Sequence, residues 1–242
     1  MKRALANLSF GLRKVLPPLD FRGVKVRMTG DHVSRGVWKR VFRGDYEQPE
    51  VEALLALLRP DDRVLEMGTG MGLVSGQAAK RYPGLKVESY EANPRMIPVI
   101  REFHQMNSIR NVTLNNAVLV DGDGTGSRPF YLHGSFAQSS LVPMASGQQE
   151  TVMIPEHSIK RVLSEFRPHV LLCDIEGGEA ELFPGLDLSG LRAAIIELHP
   201  NVIGRQAEAS IYTALAAAGL FPRIELCSGT VVAFEAVEGA VR

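Results

Sequence analysis

After about residue 60 the spacing of apolar positions switches repeatedly between two patterns. Short continuous apolar runs at Arg63–Met67, Leu85–Tyr90, Val112–Val120, His169–Cys173 and Ala193–Leu198 predict strands buried on both faces. Helical spacing fills the intervals at Leu73–Arg81, Pro94–Met106, Ser158–Phe166 and Gln206–Ala218, the last stopped by Gly219. Arg223–Cys227 and Thr230–Ala236 close the chain as two strands joined through Ser228-Gly229, a hairpin signal. Strands that alternate with helices in this way predict a doubly wound α/β domain over 59–242, with a mainly parallel sheet and an antiparallel C-terminal hairpin.

Two regions break the alternation. Residues 1–58 read as a small N-terminal cap. Within it, Leu5, Leu8, Leu12, Val15 and Leu16 predict a short amphipathic helix that stops at Pro17-Pro18. A strand at Gly23–Met28 and a helix at Pro49–Leu58 complete the cap. The second region, about 121–154, begins with the turn-rich Asp121–Ser127. It continues with alternating apolar positions (Phe130, Leu132; Val152, Ile154), so it reads as a β-rich insertion. Its DGDG lacks the remaining ligand positions of a calcium loop and is taken as a turn.

The composition is that of an ordinary globular chain: 242 residues, 45% hydrophobic and 22% charged. No apolar run approaches 18 residues, which predicts no transmembrane segment. The N-terminal stretch does not read as a secretory signal, since Arg13 and Lys14 break its apolar part. Cys173 and Cys227, both in strand-like apolar runs, are expected to be buried free thiols in a cytoplasmic protein. The zero net charge conceals an asymmetry. Residues 1–43 carry eleven Lys/Arg and two acids, a local charge of +9 that the remainder balances with −9. The basic cap is therefore a candidate surface for an anionic acceptor, or for a sister subunit in a homo-oligomer.

The strongest chemical signal is Val64-Leu65-Glu66-Met67-Gly68-Thr69-Gly70-Met71-Gly72, a strand that runs through an acid into a glycine-rich turn and then a helix. Such a loop brings backbone N–H groups close to a ligand. A dinucleotide fold places pyrophosphate at this point. A carboxylate in that position repels phosphate and attracts a cation, so Glu66 favours S-adenosyl-L-methionine, an ammonium and sulfonium without phosphate, over NAD. Tyr90-Glu91-Ala92-Asn93-Pro94 ends the next strand, where Glu91 could accept both hydroxyls of a ribose. Leu171-Leu172-Cys173-Asp174-Ile175-Glu176-Gly177-Gly178-Glu179 delivers Asp174 and Glu176 to a third strand end. Glu179 and Glu181 there read as first-turn helix acids. His199, after Ile195-Ile196-Glu197-Leu198, is a candidate general base. His32, His104, His133, His157 and His169 have no comparable setting. No cysteine or histidine spacing indicates a metal site.

The glycine loop, the YEANP stretch and the LLCDIEGGEAELF segment together resemble the FkbM family of S-adenosylmethionine-dependent methyltransferases, over about residues 44–200. The family's tyrosine–glutamate pair before the first strand is matched by Tyr46-Glu47, its acid-x-G-x-x-x-G loop by Glu66 to Gly72, and its D-[IV]-E-G-x-E signature by Asp174 to Glu179. Met67 and Thr69-Gly70-Met71 depart from the small residues and Asn of many relatives. The resemblance implies a Rossmann-like class I methyltransferase with a seven-stranded sheet. It also implies O-methylation of a hydroxyl on a small molecule or sugar. The implied cofactor contacts are Tyr46, Glu47, Glu66, Gly68, Thr69, Gly70, Gly72, Glu91, Ala92, Asn93 and the adenine-framing Asn116-Ala117. Asp174, Glu176 and His199 are then the catalytic candidates. The alternatives are an RNA methyltransferase with residues 1–43 as a phosphate-binding arm, an NAD-dependent oxidoreductase, a catalytically silent binding protein, and metal-assisted transfer through Asp174 and Glu176.

Overall fold

The computed structural model describes residues 9–30, 33–133, 139, 141 and 149–237. The cap contributes β1 (Leu19–Phe21), β2 (Val24–Val26), α1 (Arg35–Arg43) and α2 (Gln48–Leu57). Then follow β3 (Arg63–Met67), α3 (Leu73–Arg81), β4 (Lys86–Tyr90), α4 (Ile97–Met106) and β5 (Val112–Asn115). A three-stranded unit, β6 (Val118–Val120), β7 (Ser127–Leu132) and β8 (Glu150–Ser158), precedes α5 (Ile159–Phe166). The chain ends with β9 (Val170–Cys173), α6 (Glu179–Leu182), β10 (Ala193–Glu197), α7 (Pro200–Ala217), β11 (Leu220–Pro222) and β12 (Val231–Ala236).

Seven strands form one sheet in the order β11-β12-β10-β9-β3-β4-β5, with β12 antiparallel to its neighbours and β10-β9-β3-β4-β5 mutually parallel. This is the doubly wound α/β fold expected from the pattern. Strand pleating sorts the side chains into two cores. Val64, Val87, Val170, Leu172, Ala193 and Ile195 face α2, α3, α4 and the cap. Leu65, Met67, Leu171, Cys173, Ala194 and Ile196 face α5, α6 and α7. Chain order reverses at β3, since β4 and β5 extend the sheet one way and β9 and β10 the other. In open α/β sheets that reversal opens a crevice at the carboxyl ends of the strands.

Several expected elements differ. Val112–Val120 is two strands, β5 in the large sheet and β6 beside β8 in the small one. The break is at Asn116, whose Nδ2 donates to the carbonyls of Glu91 (2.8 Å) and Ala92 (3.1 Å) and draws the chain across the strand ends. The final strand pair is β11–β12, because residues 224–226 form a 3-10 turn and Leu220–Pro222 enters the sheet directly after Gly219. Pro222 is tolerated because β11 is an edge strand. Cys227 follows that turn and is only partly buried, unlike the buried Cys173. Helix α7 begins at Pro200 rather than Gln206, with a break at Gly204 (φ 75°, ψ 163°). Helical structure near the N-terminus ends at Leu12, ahead of the prolines; Leu12 and Val15 are exposed, while Phe10 and Leu16 pack on the core. Residues 1–8, His32 and most of the β7–β8 connection fall outside the described residues.

The cap also contains a helix the sequence pattern did not indicate. Ser34 Oγ accepts from Val37 N at 3.2 Å, and Gly44 ends α1 in the left-handed conformation. Arg40 and Arg43 sit in its last turn, where positive charge suits the helix dipole. Its buried face, Val37, Trp38 and Val41, joins Phe21, Val24 and Val26 in the same cluster as Leu73, Ile100 and Phe103 of the sheet-covering helices. Part of the cap's positive charge is paired internally, Arg22 with Glu52, Arg27 with Glu102 and Arg43 with Asp45. Among the described residues no helix is long and apolar enough to cross a membrane.

The shared core predicts cooperative unfolding. Fluorescence of Trp38, the chain's single tryptophan, and far-UV circular dichroism should follow one urea transition. Phe21→Ala, at a site 1% exposed, should lower the stability of the whole fold by about 3–5 kcal/mol.

Candidate functional site

A cavity of about 380 Å³ opens at the reversal point of the sheet. One wall is formed by the ends of β3, β4 and β9, including Met67, Gly68, Tyr90 and Asp174. The opposite wall comes from the small sheet, including Val118, Val120, Arg128, Phe130 and Glu156. Tyr46 and Glu47, which directly precede α2, enter from the cap. Among the described residues, seven of those lining it are acids (Glu47, Glu91, Asp121, Glu156, Asp174, Glu176, Glu181) and the only Lys or Arg is Arg128. That guanidinium is paired with Glu156 at 2.7 Å and Glu181 at 3.4 Å.

The loop after β3 is compressed against β9. Asp174 N donates to Met67 O at 2.9 Å, and Gly68 adopts φ 82°. A Cβ at Gly68 would lie 1.6 Å from the Asp174 carbonyl oxygen, so only glycine fits. Gly70 N donates to Glu91 Oε2 and Asn93 N to Glu91 Oε1, both at 2.7 Å. Glu91 is thereby fixed at the cavity edge with the remaining lone pairs of both oxygens unused by these bonds. Burial lifts its carboxyl to about 7 against the pull of these two N–H donors. Thr69 Oγ1 donates to the Tyr90 carbonyl, and Gly72 caps α3 in the left-handed conformation.

Glu66 lies one layer behind this wall. It is 1% exposed, and its Oε2 accepts from Ser75 Oγ at 2.7 Å and Ser89 Oγ at 2.5 Å. Burial raises its carboxyl to about 7, moderated by those hydroxyls. It ties the loop, α3 and β4 together and does not line the cavity. Gly72, Thr69, Asn116 and His199 are also set back from the lining. Tyr46, Glu47, Gly68, Gly70, Glu91, Ala92, Asn93, Ala117, Asp174 and Glu176 are on it.

Two of the lining acids are held in strained backbone. Glu47 (φ 47°) and Glu176 (φ 53°) occupy the left-handed region that non-glycine residues seldom adopt. Strain of this kind persists where surrounding structure imposes it, often at functional sites. Burial raises the Glu47 and Asp174 carboxyls well above the usual range, and neighbouring carboxylates add to it. Tyr46, buried beside Glu47, is pushed up as well, by burial and then by that carboxylate.

Behind Asp174 sits His199. Its Nδ1 is 3.0 Å from Glu179 Oε1, and its Nε2 is 3.4 Å from Glu176 Oε2 and 3.6 Å from Asp174 Oδ1. Burial alone would depress this imidazole; Glu179 outweighs it and, with Glu176 and Asp174, lifts the value to about 9. In this arrangement His199 is an imidazolium at neutral pH. Glu179 and Glu181 are more than first-turn helix acids: Glu179 is fully buried against His199, and Glu181 lines the cavity beside Arg128. Sequence reasoning also missed Glu197 and Glu50. Asp174, Glu197 and His199 bring one ligand atom each within 4.8 Å of one another, a grouping able to hold a metal ion. The detectable signal was Glu197 and His199 two positions apart, on one face of an extended segment. Glu50, near the start of α2, had no such signal. The DGDG stretch is a turn, with Asp123 Oδ1 accepting from Thr125 N and Oγ1.

No protein-family model matches the chain, and no curated protein matches it. Several solved structures, methyltransferases among them, are distantly similar to it. Precorrin-6y C5,15-methyltransferase from Geobacter metallireducens GS-15 is 14% identical over 80% of this chain and 89% of its own, with a TM-score of 0.46. Ribosomal protein L11 methylase from Lactobacillus delbrueckii subsp. bulgaricus is 14% identical over 79% and 77%, with a TM-score of 0.44. The fibrillarin pre-rRNA processing protein of Methanococcus jannaschii is 13% identical over 75% and 71%, with a TM-score of 0.43. No residue role is carried over from them.

The Glu66 environment predicts a pH signature. Its folded value lies above the unfolded one, so the stability it contributes is complete at low pH and is lost as pH rises through about 7. Relative to the native chain, Glu66→Gln should therefore gain roughly 2 kcal/mol between pH 5 and pH 8 in paired urea titrations. A difference that does not change with pH would show that Glu66 is ionised throughout.

Proposed function

We propose that this chain is an FkbM-type, S-adenosylmethionine-dependent methyltransferase that O-methylates a hydroxyl of a small molecule or sugar. The observation that carries the reading is the charge of the cavity: among the described residues seven acids line it, and the only Lys or Arg is already paired. A pyrophosphate would be repelled there, whereas a ligand with ammonium and sulfonium groups would be attracted. The donor set therefore fits S-adenosylmethionine and disfavours NAD.

The chain's residues divide the work of holding that cofactor. Glu91, oriented by Gly70 and Asn93, faces the ribose hydroxyls. The backbone of Gly68–Gly70 lies alongside the cofactor, because no side chain fits at Gly68. Ala92, Asn93 and Ala117 frame the adenine, with Asn116 bracing that edge through the Glu91 and Ala92 carbonyls. Tyr46, Glu47 and Asp174 present acceptor oxygens to the cationic end. Bound there, the cofactor supplies a methyl group already activated as a sulfonium, so alignment and exclusion of water carry much of the catalysis. A hydroxyl acceptor must lose a proton, and Asp174 and Glu176 are the cavity carboxylates positioned to receive it. His199, an imidazolium held by Glu179, positions both.

Calorimetric titration should show saturable binding of S-adenosylmethionine and none of NAD; the reverse result would sink the reading. Asp174→Asn should abolish methyl transfer to a hydroxyl acceptor while leaving cofactor affinity within a few-fold. Full turnover in that variant would remove Asp174 from catalysis.

A further inference from the structure

Three features of the β9–β10 edge are left unexplained by cofactor binding. Asp174 Oδ1 is buried and has no hydrogen-bond partner among the described residues. His199 Nε2 lies 3.6 Å from that oxygen and 3.4 Å from Glu176 Oε2, while Nδ1 is engaged by the fully buried Glu179. Glu197 completes the group, steadied by Thr230 Oγ1, which donates to its Oε1 at 3.1 Å. A histidine that ligates a metal almost always gives its other ring nitrogen to a carboxylate, which fixes the tautomer and aims the ligating nitrogen. Glu179 stands in that outer position and Asp174 and Glu197 in the inner one, and a cation entering between them displaces the proton that His199 Nε2 carries in its absence.

We propose that Asp174, Glu197 and His199 bind a divalent cation of the Mn2+ or Mg2+ class, and that this cation holds the acceptor hydroxyl. Two carboxylates and one imidazole make a hard to intermediate donor set, and the imidazole tilts it towards Mn2+. His199 Nε2 and Asp174 Oδ1, 3.6 Å apart, already have a spacing that two ligands of one cation adopt with bonds of about 2.1–2.3 Å, and all three ligand atoms lie within 4.8 Å of one another. Three protein ligands leave positions open for substrate oxygen. Because Asp174 lies on the cavity wall, those positions face the cavity. The acceptor class is accordingly a hydroxyl beside a second oxygen donor, such as a vicinal diol or a hydroxy-carbonyl. The bound hydroxyl is acidified and passes its proton to Glu176, an exposed neighbour outside the ligand set. The oxygen lone pair forms the new O–CH3 bond as the S–CH3 bond breaks, and its electrons leave with sulfur as a neutral thioether. This acceptor role rests on the methyl-transfer reading; the cation site does not.

The test is titration of the metal-stripped full chain with MnCl2, followed by calorimetry and by loss of the free Mn2+ electron paramagnetic resonance signal. One saturable site is expected. His199→Ala and Glu197→Gln should each weaken it more than 10-fold, and Glu179→Gln by about 10–100-fold. Binding of S-adenosylhomocysteine by the same variants checks that they are folded. No saturable Mn2+ binding up to millimolar concentration, or binding that survives both ligand variants, overturns the site. Mn2+ binding by a chain that ignores S-adenosylmethionine supports the cation site and overturns the methyl-transfer reading; cofactor binding without Mn2+ does the opposite. With both bound, turnover on a vicinal diol should vanish in chelator and return with Mn2+, and undiminished turnover in chelator overturns the acceptor role.

Discussion

The parallel pairing of β3 with β9 is the constraint on which the site depends. Its register sets Met67 beside Cys173, and one residue further on each strand the chains must part. They part at Gly68 and Asp174, so close together that the former has no room for a side chain and the latter is fixed in place. Everything chemical then follows from where that fork opens. Glu91 arrives from β4, the next strand over, and His199 from just beyond β10, on the other side. A one-residue slip in the pairing would turn each of these strands over, exchanging the residues that face the two cores.

The fork gathers carboxylates at a density a folded chain ordinarily avoids. Glu47, Glu50, Asp174, Glu176, Glu179 and Glu197 come from three separate stretches of chain, and burial pushes the carboxyls of Glu47, Glu50, Asp174 and Glu176 towards the neutral form. Isolated buried charge is costly unless it is paired. His199 and shared protons offset part of that cost. A bound cation would offset more, which is why the same arrangement that strains the free protein suits a positively charged occupant.

Most of this architecture could be read from the sequence because its strands are buried on both faces and stand out as uninterrupted apolar runs. The glycine loop and the three strand ends were visible for the same reason. What could not be read depended on distant contacts. The Val112–Val120 run looks continuous, yet Asn116 bends it out of the sheet by binding carbonyls more than twenty positions earlier. Helix α1 carries sound capping signals in Ser34 and Gly44, but four basic residues between them mask its buried face. Glu66 shows the limit most clearly. Its position before the glycines is plain, whereas its inward orientation depends on Ser75 and Ser89, which no local pattern connects to it. Glu50 and Glu197 meet across 147 positions, and only the folded chain brings them together.

The small sheet has a consequence for how the protein could diversify. β6, β8 and β7 bond to one another and not to the seven-stranded sheet. They are continuous with the rest of the fold at Asn116-Ala117 and where β8 runs into α5, and they pack on it through Leu119, which joins the second core, and His157, which meets the Tyr90 ring. One wall of the cavity is thus built into the core, and the facing wall is a separately stitched panel. Changes in that panel can reshape what the cavity admits without disturbing the strand pairing that creates it. The two walls of the cavity thus rest on separate hydrogen-bond ladders, one in the large sheet and one in the small.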